Sequence, residues 1–229
     1  MPKLLRPLTA EFIGTLLFVF LGVGSVVAFV ANGPTTGSIG PLGVALAHGV
    51  GMGVIVSATL SISGGHMNPA VTFAIALAGR IDWRSAIAYV VAQLAGGLLG
   101  ALLVKAFMPV GPVTATLAGT PQLGPSVSFV QGIWIEALLT FFLVSAVFGT
   151  AVSPDAPKIG GFGIGLAIFV AALVGGNLTG AMMNPARALG PAIVAHDLHA
   201  QAVYWIGPLL GAAVAGGLWR LALRARAGY

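Results

Sequence analysis

Long apolar stretches separated by short polar breaks make up most of the chain. Residues 7–79 contain one charged side chain, Glu11, and residues 85–151 contain only Lys105 and Glu136. A helix that crosses a bilayer needs about 20 consecutive apolar residues. Glycine and proline clusters divide the stretches, and the pattern predicts six spans. These are Thr9–Ala31, Pro41–Ile62, Arg84–Phe107, Ser128–Ala151, Gly160–Gly175 and Gln201–Leu221.

Two apolar segments are left over, Asn68–Gly79 and Asn184–Ala195, each of 12 residues. They are too short to cross a bilayer, and their length is typical of re-entrant segments. Both begin with Asn-Pro-Ala, at Asn68, Pro69 and Ala70 and again at Asn184, Pro185 and Ala186. Asn is a preferred N-cap residue and Pro is favoured at the first helical position, so each segment is predicted to be a short helix.

The two halves of the chain repeat each other. S-G-G-H-M-N-P-A-V at 63–71 matches T-G-A-M-M-N-P-A-R at 179–187 with an offset of 116 residues (184 − 68). Three spans per repeat is an odd number, so the second repeat enters from the opposite side of the membrane. We therefore expect an all-α membrane protein with six transmembrane helices and two re-entrant half-helices in an inverted three-plus-three repeat. The repeats cover about 8–107 and 128–222 of a single domain, 1–229.

Composition agrees with this class. The chain is 58% hydrophobic and 7% charged, against roughly 25% charged in soluble domains. It lacks cysteine, which excludes a disulfide framework and a thiolate metal site. We expect a lipid bilayer as partner, no nucleic acid, no metal and no cofactor.

Positive charge predicts the orientation. Eight of the ten Lys and Arg residues fall on one side of the six-span arrangement, which predicts cytoplasmic termini in a plasma (cell inner) membrane. They are Lys3, Arg6, Arg80, Arg84, Lys158, Arg220, Arg224 and Arg226. The uncharged loop 108–127 is expected on the outside.

Non-helical backbone precedes each half-helix, and such backbone is tolerated at membrane depth only along a cavity or inside protein. We expect its carbonyls to line a pore at Gly64, Gly65, His66, Gly180, Ala181 and Met182. The half-helices should meet N-terminus to N-terminus, where their dipoles repel cations. The Asn68 and Asn184 amides can then donate hydrogen bonds to a neutral oxygen.

Two Asn-Pro-Ala boxes among six spans, with Arg187 directly after the second, resemble the aquaporin (major intrinsic protein) family. The sequence around the two boxes is most similar to that of tonoplast intrinsic proteins and ammonia-permeable aquaporins. The resemblance implies a homotetramer with one pore per subunit and an outer selectivity filter of His48, Ala172, Ala181 and Arg187. It also implies that Glu11, Glu136 and His66 support the irregular backbone.

The filter pattern departs from that of strict water channels, because histidine takes the first position and two alanines complete the ring. The hypothesis is a passive channel for water and small neutral solutes such as ammonia, hydrogen peroxide and urea. A glycerol facilitator is the nearest alternative, but such proteins commonly carry Asp where Ala188 follows Arg187, and Tyr204-Trp205 is of the water-channel type. Ala188 also departs from the Ser that is more usual in water channels. A secondary transporter is a less favoured alternative, because many transporters also contain inverted repeats. An enzyme is disfavoured, since no nucleophile–base pair or ligand cluster is evident.

Overall fold

A computed structural model describes the backbone of residues 2–32 and 40–226 and the side chains of 4–32 and 40–223. Within these residues the chain forms α-helices and no strand. The helices are α1 (Pro2–Asn32), α2 (Gly40–Ser63), α3 (Pro69–Leu77), α4 (Trp83–Phe107), α5 (Val110–Ala115), α6 (Phe129–Val147), α7 (Phe162–Thr179), α8 (Pro185–Ala195) and α9 (Gln201–Arg226).

Six of these helices are long and apolar enough to span a membrane: α1, α2, α4, α6, α7 and α9. The prediction of six spans is therefore confirmed, with differences at the ends. The fifth span continues to Thr179, beyond the predicted end at Gly175, because Gly180 and not Gly175 takes the left-handed conformation (φ 83°) that stops the helix. After Val147, α6 continues as one π-helical turn, Phe148–Val152.

The two half-helices begin where the sequence predicts. Asn68 and Asn184 are extended residues that cap α3 and α8, and their side-chain oxygens accept hydrogen bonds from the Ala70 and Ala186 amides at 2.8 and 3.0 Å. Pro69 and Pro185 occupy the first helical positions. Two short helices thus start deep inside the bundle, at equivalent points of the two repeats.

The packing follows the repeat. In the first repeat α1 packs on α4, and in the second α6 packs on α9, while α2 and α7 join the two repeats. A side-chain carbon added at Gly49 would lie 2.7 Å from the carbonyl oxygen of Gly165. Glycine therefore allows the α2 and α7 backbones to touch, as small residues do between membrane helices.

The bundle has two ends. We call the end where α1 begins and α9 finishes the terminal face, and the end where α4 finishes and α6 begins the opposite face. The helix directions put Arg6, Arg80, Arg84, Lys158 and Arg220 on the terminal face. The side chains of Lys3, Arg224 and Arg226, predicted to join them, lie outside the described residues. On the opposite face, the loop 108–127 contains α5 and a 3₁₀ turn, Leu117–Gly119.

Candidate functional site

A buried carboxyl group holds the backbone before the first half-helix. Glu11 on α1 has no exposed surface. One of its oxygens accepts from the Ser63 hydroxyl and the His66 amide at 2.6 and 3.0 Å, and the other from the Met67 amide and Gln93, both at 2.7 Å. The backbone N–H groups of His66 and Met67 lie outside any helix and away from water, and Glu11 gives them hydrogen-bond acceptors.

Glu136 on α6 repeats this arrangement in the second half. It accepts from the Thr179 hydroxyl at 2.6 Å and from the Met182 and Met183 amides at 2.9 and 2.7 Å. The donors are offset by 116 residues from those of Glu11 (179 − 63, 182 − 66 and 183 − 67). The side-chain donor Gln93 has no counterpart on Glu136. The inverted repeat read from sequence is therefore also a repeat of hydrogen bonds.

His66 lies beside the first carboxyl group. Its Nδ1 is 3.1 Å from the Thr72 hydroxyl, and its ring meets Tyr89 edge-on with centroids 5.2 Å apart. Tyr89 in turn donates to the Ser63 carbonyl at 3.0 Å. The side chain is thus fixed between α3 and α4 while its backbone amide is fixed by Glu11.

The two half-helices are linked at their tips. The Asn68 side-chain nitrogen donates to the Met183 carbonyl at 2.8 Å, and the Asn184 side-chain nitrogen donates to the Met67 carbonyl at 2.9 Å. Each asparagine oxygen is occupied by its own helix cap. An amide nitrogen carries two hydrogens, so each asparagine keeps one N–H for another partner.

The backbone at this junction is strained. Met67, Ala181 and Met183 have φ values of 47°, 50° and 51°, in the left-handed region that costs a non-glycine residue roughly 1–3 kcal/mol. Such conformations persist where the surroundings enforce them. Here the Glu11 and Glu136 bonds and the two asparagine links hold the backbone on both sides.

The four residues predicted from the resemblance to form a ring line one cavity of about 450 Å³ together with Asn68 and Asn184. Arg187 is 2% exposed, and its Nη1 donates to the Gly119 carbonyl at 3.1 Å. Its Nη2 lies 3.5 Å from His48 Nε2. The side chains of Ala172 and Ala181 are single methyl groups. The cavity therefore has a polar edge of Arg187 and His48 and an apolar edge of two alanines.

The orientation of His48 follows from its neighbours. Nδ1 lies 2.9 Å from the Val44 carbonyl, which can only accept, so we assign the proton to Nδ1 and the lone pair to Nε2. Phe18 meets the ring edge-on, with centroids 5.9 Å apart. A side-chain carbon at Gly22 would come within 2.6 Å of Nε2, so α1 must carry glycine at this contact. The sequence reasoning did not single out Gly22.

The outer loop also contributes to the site, through the Gly119 carbonyl. Leu117, Ala118 and Gly119 all have positive φ, at 49°, 53° and 74°. This turn directs the Gly119 carbonyl at Arg187 and sets the loop against the cavity, which Thr120 also lines. The sequence did not predict the contact between Gly119 and Arg187, because nothing local in an uncharged loop indicates which carbonyl will face an arginine 68 residues away.

Most of the carbonyl positions predicted from sequence line the cavity: Gly65, His66, Gly180, Ala181 and Met182. Gly64 does not line it. The Gly64 amide instead donates to the Leu60 carbonyl at 3.1 Å and continues the end of α2.

Six spans around two opposed half-helices define a polytopic membrane protein with an internal cavity. Residues 1–219 match the family described as Major intrinsic protein. The chain is 46% identical over 219 residues to Aquaporin TIP4-4 of Zea mays, covering 92% of this chain and 84% of that protein. It is 42% identical over 228 residues to Probable aquaporin TIP3-2 of Arabidopsis thaliana, covering 93% and 82%.

Among solved structures, an aquaglyceroporin from Plasmodium falciparum has the same fold, with a TM-score of 0.84 at 23% identity, covering 95% of this chain and 96% of that one. The chain belongs to the major intrinsic protein family, and it is an integral membrane protein. The resemblance drawn from the two Asn-Pro-Ala boxes is confirmed.

Proposed function

We propose that the protein is a passive channel for water and for small neutral solutes such as ammonia, hydrogen peroxide and urea. One observation carries the proposal: a single cavity contains the tips of both half-helices and the pair Arg187 and His48. The relatives named above are aquaporins, which supports water as a permeant. Their names also confirm the prediction that the chain is not an enzyme.

Cation exclusion follows from the opposed helix ends. Each N-terminus carries roughly half a positive charge, and Asn68 and Asn184 present only N–H groups, since their oxygens cap the helices. A water molecule can accept from both, whereas a hydronium or metal ion meets donors and positive potential. We propose that these two asparagines, with Pro69, Ala70, Pro185 and Ala186, form a narrow part of the pore where the tips of the two half-helices meet.

The solute range follows from the four-residue ring. Arg187 donates, and the His48 Nε2 lone pair, 3.5 Å from Arg187 Nη2, can accept from a solute in place of that contact. Ala172 and Ala181 leave room that larger side chains would fill. A solute with both donors and acceptors, such as urea, can accept from Arg187 and donate to His48. Ammonia can donate to the imidazole lone pair of His48. These four residues are our proposed selectivity filter, with the carbonyls of Gly65, His66, Gly180 and Met182 along the rest of the path.

Two alternatives remain distinguishable by experiment. A glycerol facilitator would pass glycerol through the same ring, and its small alanine walls are the feature that favours it. A secondary transporter would couple flux to an ion and saturate. The tips of the two half-helices present amides and carbonyls, and the buried carboxyl groups of Glu11 and Glu136 are occupied by backbone and side-chain donors. Neither carboxyl group is left to bind a coupling ion, and this favours a pore.

Light scattering by proteoliposomes tests the proposal. We expect water flux with a low activation energy, flux of urea and ammonia, and no proton current. Arg187→Ala should raise the urea-to-water permeability ratio, whereas Arg84→Ala, which removes the same charge from the exposed terminal face, should not. Water flux equal to that of empty vesicles, or a sustained ion current, would refute the channel.

The remaining parts of the proposal concern assembly and orientation. We propose one channel domain, 1–229, assembled as the homotetramer that the family resemblance implies, in a plasma (cell inner) membrane with the terminal face cytoplasmic. Five arginine and lysine residues on that face support this orientation. Since the chain has no cysteine, Lys158→Cys and Ser126→Cys, both at exposed positions, can report one face each to an impermeant thiol reagent. Native mass spectrometry would test the tetramer, and fractionation of cell membranes the location.

A further inference from the structure

An exposed side chain, Gln122, and a half-buried one, Asp197, join the outer loop to the chain segment that follows α8. The Gln122 side-chain nitrogen donates to Asp197 Oδ2 at 3.0 Å. Asp197 is held in place, since its amide donates to the Ala192 carbonyl at 2.9 Å and its Oδ1 contacts His199 Nδ1. We call the pair Gln122 and Asp197 the outer clasp.

The clasp lies three residues from the carbonyl that contacts Arg187. Between them, Thr120 forms a tight turn, with its amide and its hydroxyl both donating to the Leu117 carbonyl at 2.9 and 2.6 Å. Gly119 therefore lies inside a hydrogen-bonded turn that ends two residues before Gln122.

Two residues of this segment are strained. Leu117 and Ala118 lie in the left-handed region, where a non-glycine residue persists only when its surroundings hold it. A second tie lies further along the loop, where the Gly124 amide donates to the Leu178 carbonyl at 2.8 Å. Of these two ties between the loop and other segments, the clasp is the nearer to Gly119 in sequence.

We propose that Gln122 and Asp197 are positioning residues that hold the Gly119 carbonyl against Arg187 and thereby set the selectivity of the filter. This inference rests on the proposed channel function, and it adds two surface residues to the filter that neither contact Arg187 nor belong to an Asn-Pro-Ala box. When the clasp opens, Arg187 loses a fixed acceptor and the ring widens toward larger neutral solutes.

The acceptor of the clasp is ionised at neutral pH. Hydrogen bonds from the His199 side chain, and secondly from Gln122, hold the pKa of the Asp197 carboxyl below its ordinary value. A charged acceptor forms a stronger bond than a neutral one, which suits a restraint exposed to solvent.

The test compares urea and water permeability in proteoliposomes of the full chain. Gln122→Glu keeps the shape of the side chain but replaces its donor with a carboxylate that repels Asp197. The urea-to-water ratio should rise about fivefold, the factor that corresponds to losing one ordinary hydrogen bond, because solvent around the pair offsets the gain from the charged acceptor. The double variant Gln122→Glu with Asp197→Asn reverses donor and acceptor, and it should return the ratio to that of the wild type.

Gln131→Glu is the matched control. It adds the same negative charge at the same end of the bundle as the clasp, the opposite face, but outside the clasp. It also keeps the side-chain oxygen that accepts from the Ser128 amide at 2.8 Å. Its ratio should equal that of the wild type. A purely structural role for the clasp would lower both permeabilities together and leave the ratio unchanged, so the ratio separates positioning from folding.

An unchanged ratio in Gln122→Glu overturns the inference. If that variant does not reach the membrane, Gln122→Ala and Asp197→Ala provide the same comparison without added charge. Arg187→Ala in the same series separates the two proposals. A wild type without water flux refutes the channel and the clasp together. A ratio altered by Arg187→Ala but not by the clasp variants refutes the clasp alone.

Discussion

Replacing Glu136 or Glu11 with glutamine removes one carboxyl oxygen at nearly constant shape. The two sites differ in how many donors that oxygen serves. In Glu136→Gln, the new NH₂ group can replace the oxygen that faces Met183. Only the Met183 amide then loses its acceptor, because the remaining oxygen still serves Thr179 and Met182. On Glu11, each oxygen serves two donors, so either orientation leaves two unpaired.

The magnitudes follow from this count. A hydrogen bond to a charged acceptor contributes about 1.5–3 kcal/mol, and the donor left behind is buried. Glu136→Gln should therefore lower the free energy of unfolding by about 2 kcal/mol, and Glu11→Gln by about 4 kcal/mol. Both variants should also lower water permeability per folded protein, because the freed amides belong to the backbone that lines the cavity.

Unfolding in mixed detergent micelles, followed by tryptophan fluorescence, measures the free energies. Thr140→Val is the control, because the Thr140 hydroxyl is buried on α6 without a hydrogen-bond partner in the described part of the chain. Removing it should cost little or nothing. The reasoning fails if Glu11→Gln is no more destabilising than Glu136→Gln, or if both equal Thr140→Val.

Three further predictions concern packing, capping and pH. Gly22→Ala should displace His48, since the added carbon would lie 2.6 Å from Nε2, whereas Gly24→Ala meets nothing within 4 Å. Stopped-flow measurement should therefore find altered water permeability only in Gly22→Ala, and equal values would contradict the assigned contact. Asn184→Ser retains a capping oxygen and loses the bond to the Met67 carbonyl, while Asn184→Ala loses both. The alanine variant should be less stable than the serine variant by about 1 kcal/mol, the usual value of an N-cap, and identical unfolding curves would contradict this. Asp82, the cap of α4 on the terminal face, accepts bonds from the Ser85 hydroxyl and amide, which lower its pKa below the ordinary value of an aspartate. A depressed pKa contributes stability above the unfolded value that is lost as pH falls through the folded value, so the melting temperature should fall in acid below about pH 4. Asp82→Asn, which keeps a cap but does not titrate, should flatten that part of the curve, and an unchanged slope would argue against the assignment.

The elements of the fold could be predicted from local pattern. Asn68-Pro69 and Asn184-Pro185 begin helices because capping and proline geometry act within a few residues. Errors arose where a local signal was ambiguous. Gly175, Gly176 and Gly180 all lie near the end of the fifth span, and which glycine stops the helix depends on the bonds that the following backbone makes with Glu136.

The site could be predicted in part. Glu11 and Glu136 stood out because a carboxyl group in an apolar helix needs donors, and irregular backbone in the same repeat needs acceptors. Gly22 and Gly119 did not stand out. Their importance lies in contacts with His48 and Arg187, which are distant in sequence, and a glycine in an apolar helix or an uncharged loop has no local feature that indicates such a contact.

The sequence by itself determined the class of protein, the number of spans, the inverted repeat and the points where the half-helices begin, because hydropathy and helix capping are local properties. Tertiary structure alone decided which carbonyl receives Arg187, which ring nitrogen of His48 faces it, and how the two Asn tips bond across the repeats. The last two of these arrangements depend on distances between segments more than 100 residues apart in the chain, and such distances exist only once the helices have packed.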